Sequence, residues 1–443
     1  MEKTIAAIAT PHGTGGISVI RVSGKEARKI VQKMYRGKKN IETAPTHTIL
    51  YGFAADGEEK IDQCLFTVMD APHTFTGENT VEISCHGGVV STNRILETVI
   101  RCGASLAEPG EFTKRAFLNG KMDLSQAEAV ADIISSKTDS SLSVAVHQLR
   151  GNLSRKINEI RSSLISLCAH LDAAADFPEE DIEEISDGTY EESLQSILSA
   201  LKELTASAKT GKILREGVAC AILGAPNVGK SSLLNCLLGE NRAIVTEVAG
   251  TTRDVIEEYV NIGGIPVRLA DTAGIRETQD KIEKIGVEKS KTQVEEAAFC
   301  LFVVDATRPE TESEELLALV GEKPYIKVIN KSDLKEGSLS GGIPISAKKG
   351  EGIDRLKEEI FHLLVTKAPD PGKEMITNMR HKEAAIRAQE NVEKALSLYE
   401  SGLEKNLSYI YLEGAVSDLG EITGMSVSQE IVDQIFHRFC LGK

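Results

Sequence analysis

Apolar positions recur at two different periods along the chain. Over residues 1–119 they alternate with polar ones in short runs, at 17–22, 48–53, 62–69 and 80–84, separated by glycine-rich turns. A period of two predicts half-buried strands, here mixed with a few helices. From residue 120 the period lengthens. Leu142, Val146, Leu149, Leu153, Ile157, Ile160, Leu164, Cys168 and Leu171 fall three or four apart, which predicts one long amphipathic helix whose apolar stripe needs partners to cover it. Ser125 followed by Glu128 reads as the capping box that opens this helical stretch. Further on, strand-like runs alternate with helical ones: 218–223, a helix from Lys230, a hairpin turning at Gly263 and Gly264, then 267–270, 300–305, 325–330 and a helix after Gly352. That alternation predicts a mostly parallel sheet with helices on both faces.

KAPDPG at 367–372 reads as a linker, after which helical periodicity returns to the end. The economical organisation is multidomain: an α+β domain at 1–119, an all-α helical domain built from 120–211 and 372–443, and an α/β module inserted between its halves at 212–371. The length of 443 residues suits about three domains. Hydrophobic residues at 41% and charged residues at 26% exclude a disordered chain and a membrane bundle. A net charge of −15 repels a bare phosphate backbone, so contact with nucleic acid would be local or carried by a partner. The acidic run 179–184 reads as a solvated face. Eight scattered cysteines without a CxxC pair suggest no zinc knuckle or disulfide framework, and a reducing, cytoplasmic setting. The start of the chain lacks the basic and apolar stretches of a signal peptide, and no apolar run is long enough to cross a membrane.

GAPNVGKSS at 224–232 fits GxxxxGK[ST], follows an expected strand and opens an expected helix. Its backbone amides, from Asn227, Val228 and Gly229 onward, would curl around phosphates at a helix start. Lys230 would reach the β and γ oxygens, and Ser231, with Ser232 behind it, would face Mg²⁺. DTAG (Asp271, Thr272, Ala273, Gly274) closes an apolar strand, where a carboxylate holds a magnesium-bound water and a glycine amide faces the γ-phosphate. Asn330, Lys331 and Asp333 of NKSD supply a guanine selector, since the Asp333 carboxylate would accept from the ring N1–H and the exocyclic amine, neither of which adenine offers. Ser346, Ala347 and Lys348 would offer an N–H to the guanine O6. TEVAGTTRD (Thr246, Glu247, Val248, Ala249, Gly250, Thr251, Thr252 and on to Asp254) lies where GTPases keep their first switch, with Thr252 the second expected Mg²⁺ ligand. Ile275 follows DTAG and cannot hydrogen-bond an attacking water. Arg276, Glu277 and Glu283 are the candidates for that task, each otherwise a solvated switch residue. No cis arginine finger is evident, and a monovalent cation held by the Asn227 side chain would substitute.

These motifs, with DTAGIRET at 271–278 and FCLGK at 439–443, resemble the MnmE (TrmE) family of tRNA-modifying GTPases. The resemblance runs through ATPHGTGG (9–16), TGE (76–78), HGG (86–88), PGEF (109–112), RAFLN (115–119), DLSQAE (123–128) and DFPEEDI (176–182), and so spans the chain. It implies a homodimer formed through tetrahydrofolate-binding N-terminal domains and a Ras-like P-loop GTPase module inserted in a helical domain. It also implies potassium-stimulated GTP hydrolysis and a flavoprotein partner, MnmG, that carries FAD. Such proteins place an aminomethyl or carboxymethylaminomethyl group on C5 of the wobble uridine of certain tRNAs, with 5,10-methylene- or 5-formyl-tetrahydrofolate as the one-carbon source and glycine or ammonium as the amine.

By matching position, the resemblance implies folate contacts at Arg21, Glu82, Lys121 and Lys443. It implies K⁺ held by Asn227, Thr246, Val248 and Thr251, Mg²⁺ by Ser231 and Thr252, and the lytic water oriented by Glu283. Read without it, Arg21 and Glu82 are a polar cross-strand pair. Cys440 is either a small buried hydrophobe or a thiol acting near the folate. A different class of function, a regulatory switch of the ribosome-assembly type whose N-terminal half is only a dimerising scaffold, predicts no folate binding.

Overall fold

A computed structural model describes residues 3–176, 186–241, 258–270, 294–308, 314–335, 341–365, 372–403 and 405–443. Contacts group them into two compact units. One holds the described residues of Met1–Ala131 and Gly420–Lys443, the other those of Asp132–Thr246 and Val255–Leu419.

The first unit is built on a seven-stranded sheet of β1 (Ile5–Ile8), β2 (Ile17–Ser23), β3 (Tyr35–Gly37), β4 (Thr48–Asp56), β5 (Glu59–Met69), β6 (Thr80–His86) and β7 (Ser105–Leu106). Their order is β3-β4-β5-β6-β2-β1-β7, with β1 and β7 parallel and every other pair antiparallel. Alternation sorts the side chains. Ile20, Val22, Phe66 and Ile83 enter a core shared with Ile30 and Val31 of α1 (Ala27–Met34) and Ile95 and Val99 of α2 (Val89–Arg101). On the opposite face the register sets Arg21 beside Glu82, and Glu82 beside Thr67. There Phe112 of α3 (Glu111–Leu118) packs on Ile5 and Ala7, while Ile17, Ile49, Tyr51 and Leu65 stay exposed.

The C-terminal residues belong to this first unit. Val432, Phe436 and Phe439 close a small core with Leu124 and Ala127 of α4 (Leu124–Ser135). By contacts, the described residues of 420–443 group with those of 1–131. The capping box of α4 also differs from the expected one. Asp123 accepts from the Gln126 amide at 3.0 Å while the Gln126 side chain accepts from the Asp123 amide at 2.9 Å. Ser125 lies inside the helix and donates to Asp123, so the box starts two residues earlier than the Ser-x-x-Glu pattern suggested.

In the second unit the expected single long helix is two, α5 (Asp139–Leu149) and α6 (Asn152–Asp176). Gly151 takes a left-handed φ of +79° and ends the first. The break changes the helical phase, leaving Leu142 exposed while Val144, Ala145 and Gln148 turn inward. In α6 the stripe runs as expected through Leu153, Ile157, Ile160, Leu164 and Leu171. From α7 (Asp187–Glu216) the chain enters a six-stranded sheet of β8 (Val218–Leu223), β9 (Glu258–Ile262), β10 (Ile265–Ala270), β11 (Phe299–Asp305), β12 (Tyr325–Asn330) and β13 (Ile343–Pro344). Its order is β13-β12-β11-β8-β10-β9, parallel except for β9. The β9–β10 hairpin turns at Gly263 and Gly264, whose φ values of +59° and +89° only glycine adopts freely. Beyond β8 the chain goes to one side of the sheet, and from β11 to the other, which opens a crevice at the carboxyl ends of β8 and β11. No helix of the described residues is long and apolar enough to cross a membrane.

Candidate functional site

The segment 224–229 leaves β8 at that crevice and runs into α8 (Lys230–Asn241). Gly224 (φ +150°) lies so close to the Val303 carbonyl that a Cβ would meet it at 2.3 Å. A Cβ on Gly229 (φ +98°) would meet the Asn330 amide at 2.2 Å. Between them Asn227 holds a left-handed φ of +64°, uncommon for a side-chain-bearing residue. Such a turn points successive amides to one side, and the start of α8 adds its dipole, so the loop is an anion cradle by construction. Lys230 lies across it, donating to the carbonyls of Gly224 at 2.8 Å and Ala225 at 2.9 Å. Val228 is buried, whereas Ser231 and Ser232 are exposed on the first turn of the helix.

Residues 330–333 leave β12 beside this loop and grip it. The Asn330 side chain donates to the Val228 carbonyl at 2.8 Å and accepts from the Ala347 amide at 3.0 Å. Lys331 donates to the Asn227 carbonyl at 2.9 Å and to Asp305 at 2.5 Å. Burial pushes the Asp305 carboxyl up, but hydrogen bonds from Lys331 and Thr307 together outweigh it and leave the group below its ordinary value. Asp333, its side chain 9% exposed, has the Lys349 ammonium 3.8 Å away. Ser346 and Ala347 are buried and Lys348 is exposed. The structure therefore brings the 224–232, 330–333 and 346–348 motifs to one place. Thr246, Glu247, Val248, Ala249, Gly250, Thr251, Thr252, Asp271, Thr272, Ala273, Gly274 and Glu283 lie outside the described residues. Among the described residues no group of three His, Cys, Asp or Glu side chains could hold a metal ion. Ser231 is the one expected Mg²⁺ ligand that falls within them, so a cation there would draw most of its oxygens from phosphates, water and residues beyond.

A second cluster lies on the outer face of the N-terminal sheet. Arg21 pairs with Glu82 at 2.8 Å, with the Phe75 and Phe112 rings 5.5 and 5.6 Å from its guanidinium. The Lys443 main-chain carbonyl accepts from the Phe112 amide at 3.2 Å and that of Cys440 from the Gly110 amide at 3.4 Å. Gly442 leaves no room for a Cβ against the Ile8 carbonyl. These contacts dock the C-terminal residues beside Arg21. Burial and then the like charge of Arg21 push the Lys443 ammonium down, opposed by Cys440 and Glu82. Cys440 is exposed, which removes the buried-hydrophobe reading. Lys121 reaches across to the Pro72 carbonyl at 2.9 Å, on the loop that carries Phe75. Glu78, Glu111 and Arg115 brace that loop: the Arg115 guanidinium bonds Glu78 at 3.1 Å and Glu111 at 2.7 Å.

Of the four residues expected to contact folate, Arg21, Glu82 and Lys443 thus lie together, and Lys121 holds the loop that carries Phe75. A guanidinium, a carboxylate and the exposed Phe75 ring suit a flat, amine-bearing heterocycle, which can stack on the ring and donate from its edge, while the buried Phe112 ring backs the guanidinium. Phe75 and Phe112 were missed although they stand inside the TFTGE and PGEF stretches. Asp305 was missed too, and its signal was one charge closing six apolar residues at the end of a central strand.

The family model described as MnmE helical domain matches residues 124–440, and that described as GTP-binding protein TrmE N-terminus matches 4–121. The chain is 48% identical to "tRNA modification GTPase MnmE" of Acetivibrio thermocellus, covering 100% of this chain and 99% of that protein. The chain belongs to the MnmE family. Proteins of the same name from Ligilactobacillus salivarius and Listeria welshimeri are 46% and 47% identical over 99% of this chain and cover 98% and 99% of their own lengths. The full-length match places both clusters, and the C-terminal residues docked at one of them, inside the region that this chain and the MnmE family share. A solved structure of Era with MgGDPNP and a 16S ribosomal RNA fragment is 34% identical over 39% of this chain, covering 66% of that chain, with a TM-score of 0.27.

Proposed function

We propose that this chain is a cytoplasmic GTP hydrolase of tRNA modification. As a homodimer, with the flavoprotein MnmG and its FAD, it would install an aminomethyl or carboxymethylaminomethyl group on C5 of the wobble uridine of certain tRNAs, with a tetrahydrofolate as one-carbon donor. Likeness to full-length relatives named tRNA modification GTPase supports the reading. Within the structure one observation carries it: Asn330 and Lys331 clamp the P-loop carbonyls of Val228 and Asn227, which leaves the adjacent Asp333 carboxylate to select a base.

In this reading the amides of 227–231 hold the α- and β-phosphates, and Lys230 exchanges its loop carbonyls for phosphate oxygens. Asp333 accepts from guanine N1–H and the exocyclic amine. Adenine would strand that charge, a penalty of about 3 to 5 kcal/mol where a buried pair loses one member. Ser231 and Thr252 would hold Mg²⁺, which when bound would offset phosphate charge. Asn227, Thr246, Val248 and Thr251 hold K⁺, and Glu283 orients the water. At the N-terminal site Glu82 and Arg21 would orient the folate head group beside the exposed Phe75 ring, with buried Phe112 supporting Arg21, and Lys121 and Lys443 would balance its carboxylates. The folate supplies a one-carbon unit when bound. The exposed row Ile17, Ile49, Tyr51 and Leu65 is the face for the second copy.

The test is mass analysis of wobble-uridine nucleosides from cells with and without the protein. Loss of the modified nucleoside supports the proposal, and an unchanged profile overturns the tRNA role. Calorimetric titration with 5-formyl-tetrahydrofolate separates this reading from a scaffold, since the modifier gives saturable heat and a scaffold gives none.

A further inference from the structure

Asp305 belongs to none of the sequence motifs, yet it lies behind two of them. It ends β11, is 4% exposed, and pairs in register with Asn330 of β12. Both of its oxygens are engaged. One accepts from the Thr307 amide at 2.9 Å and the Thr307 hydroxyl at 2.7 Å, and the other from the Lys331 ammonium. The same ammonium donates to the carbonyl of Asn227, the residue in the left-handed turn. A chain of charge-assisted contacts therefore runs from a rigid central strand, through one lysine, to the least favourable backbone angle of the phosphate cradle.

We propose that Asp305 is a positioning residue for nucleotide binding: its carboxylate holds Lys331 against the Asn227 carbonyl and so presets the P-loop turn before the nucleotide arrives. Thr307 fixes one carboxylate oxygen, so the other points where the ammonium sits. Without that anchor the long lysine side chain gains rotamers and leaves the Asn227 carbonyl for part of the time. The left-handed turn then loses its support, the competent loop is less populated, and apparent affinity falls by the same fraction. A neutral asparagine keeps the shape of Asp305 and removes only its charge.

The inference rests on the guanine-nucleotide reading above, and the experiment separates the two. Binding of a fluorescent GDP analogue is measured for the full chain and for Asp305→Asn, Lys331→Met and the double variant. A loss of about tenfold is expected for each single variant, the size of one charge-assisted hydrogen bond. The double variant is expected within about twofold of Lys331→Met, because both changes cut the same connection. Wild-type affinity in Asp305→Asn, or losses that multiply in the double variant, overturns the inference. A wild-type chain that ignores GDP overturns the nucleotide reading instead. An independent measurement needs no change at Asp305. The Lys331 side-chain ammonium resonance, assigned with Lys331→Arg, is expected to be visible and slowly exchanging in nucleotide-free protein, and exchange as fast as that of solvated lysines also overturns the inference.

Discussion

The two sheets of this chain bury themselves in opposite ways. In the parallel sheet all seven residues of β11 are buried, since helices cover both faces. In the antiparallel sheet β4 and β5 alternate, one face packed on α1 and α2 and the other left with exposed Ile49, Tyr51 and Leu65. The first sheet is complete in one chain and offers its strand ends as a site. The second is complete on one face only, and its site lies on the other, beside an apolar row that a second copy would cover.

The difference predicts unequal responses to the same kind of mutation. Leu301→Ala, in the centre of β11 and fully buried, should destabilise the nucleotide module by about 2 to 5 kcal/mol through loss of contacts and the cavity left behind. Ile49→Ala on the open face should change the monomer by about 0.5 kcal/mol or less. Denaturant melts of both variants check this, and equal losses would break the contrast. Next in size, Asp333→Asn should weaken GTP about a hundredfold or more, the equivalent of the lower end of the cost of unpairing a buried charge, and should favour xanthosine triphosphate, whose C2 oxygen a carboxylate repels and an asparagine amide can meet as a donor. Competition binding reads the ratio, and an unchanged GTP affinity would contradict base selection by Asp333. If the proposed dimer forms on this face, Tyr51→Glu should shift sedimentation toward monomer with the circular dichroism spectrum unchanged, whereas a dimer that persists would remove this face as the contact.

Smaller effects sharpen the picture inside each site. Burial pushes the Cys64 thiol up to about 12, while Cys440 is exposed, so alkylation at pH 7.5 followed by peptide mapping should label Cys440 well before Cys64. The Asp305 carboxyl lies below its ordinary value. Its pairing with Lys331 therefore contributes stability above the unfolded value of about 3.9, and that contribution is lost only as pH falls through the lower folded value. Thermal stability of Asp305→Asn relative to wild type should hold constant from pH 8 to 6, and the gap should close only in acid.

Chemistry that is local in sequence was the easiest part to read. GAPNVGKSS, NKSD and SAK each sit on one turn at a strand end, and strand alternation fixed where those ends fall. Tertiary packing decided what was missed. The Gly151 break lies inside an unbroken three-four pattern, because α5 turns a different face inward. The docking of 420–443 in the N-terminal unit depends on Phe436 and Phe439 meeting Leu124, contacts that periodicity cannot assign to a partner. The N-terminal cluster joins Arg21, Phe75, Glu82, Phe112 and Lys443, each ordinary in its own segment, so register and chain return had to bring them together. Asp305 is the intermediate case, visible as an odd charge but meaningful only beside Lys331.

The central claim is that the crevice at the ends of β8 and β11 is built for a guanosine polyphosphate. The most direct measurement is phosphate release by the purified full chain with GTP or ATP, in potassium and magnesium. Hydrolysis of GTP with ATP slower by at least about a hundredfold, as one stranded buried carboxylate requires, is the predicted result. Equal turnover of ATP, or none of either, would contradict it.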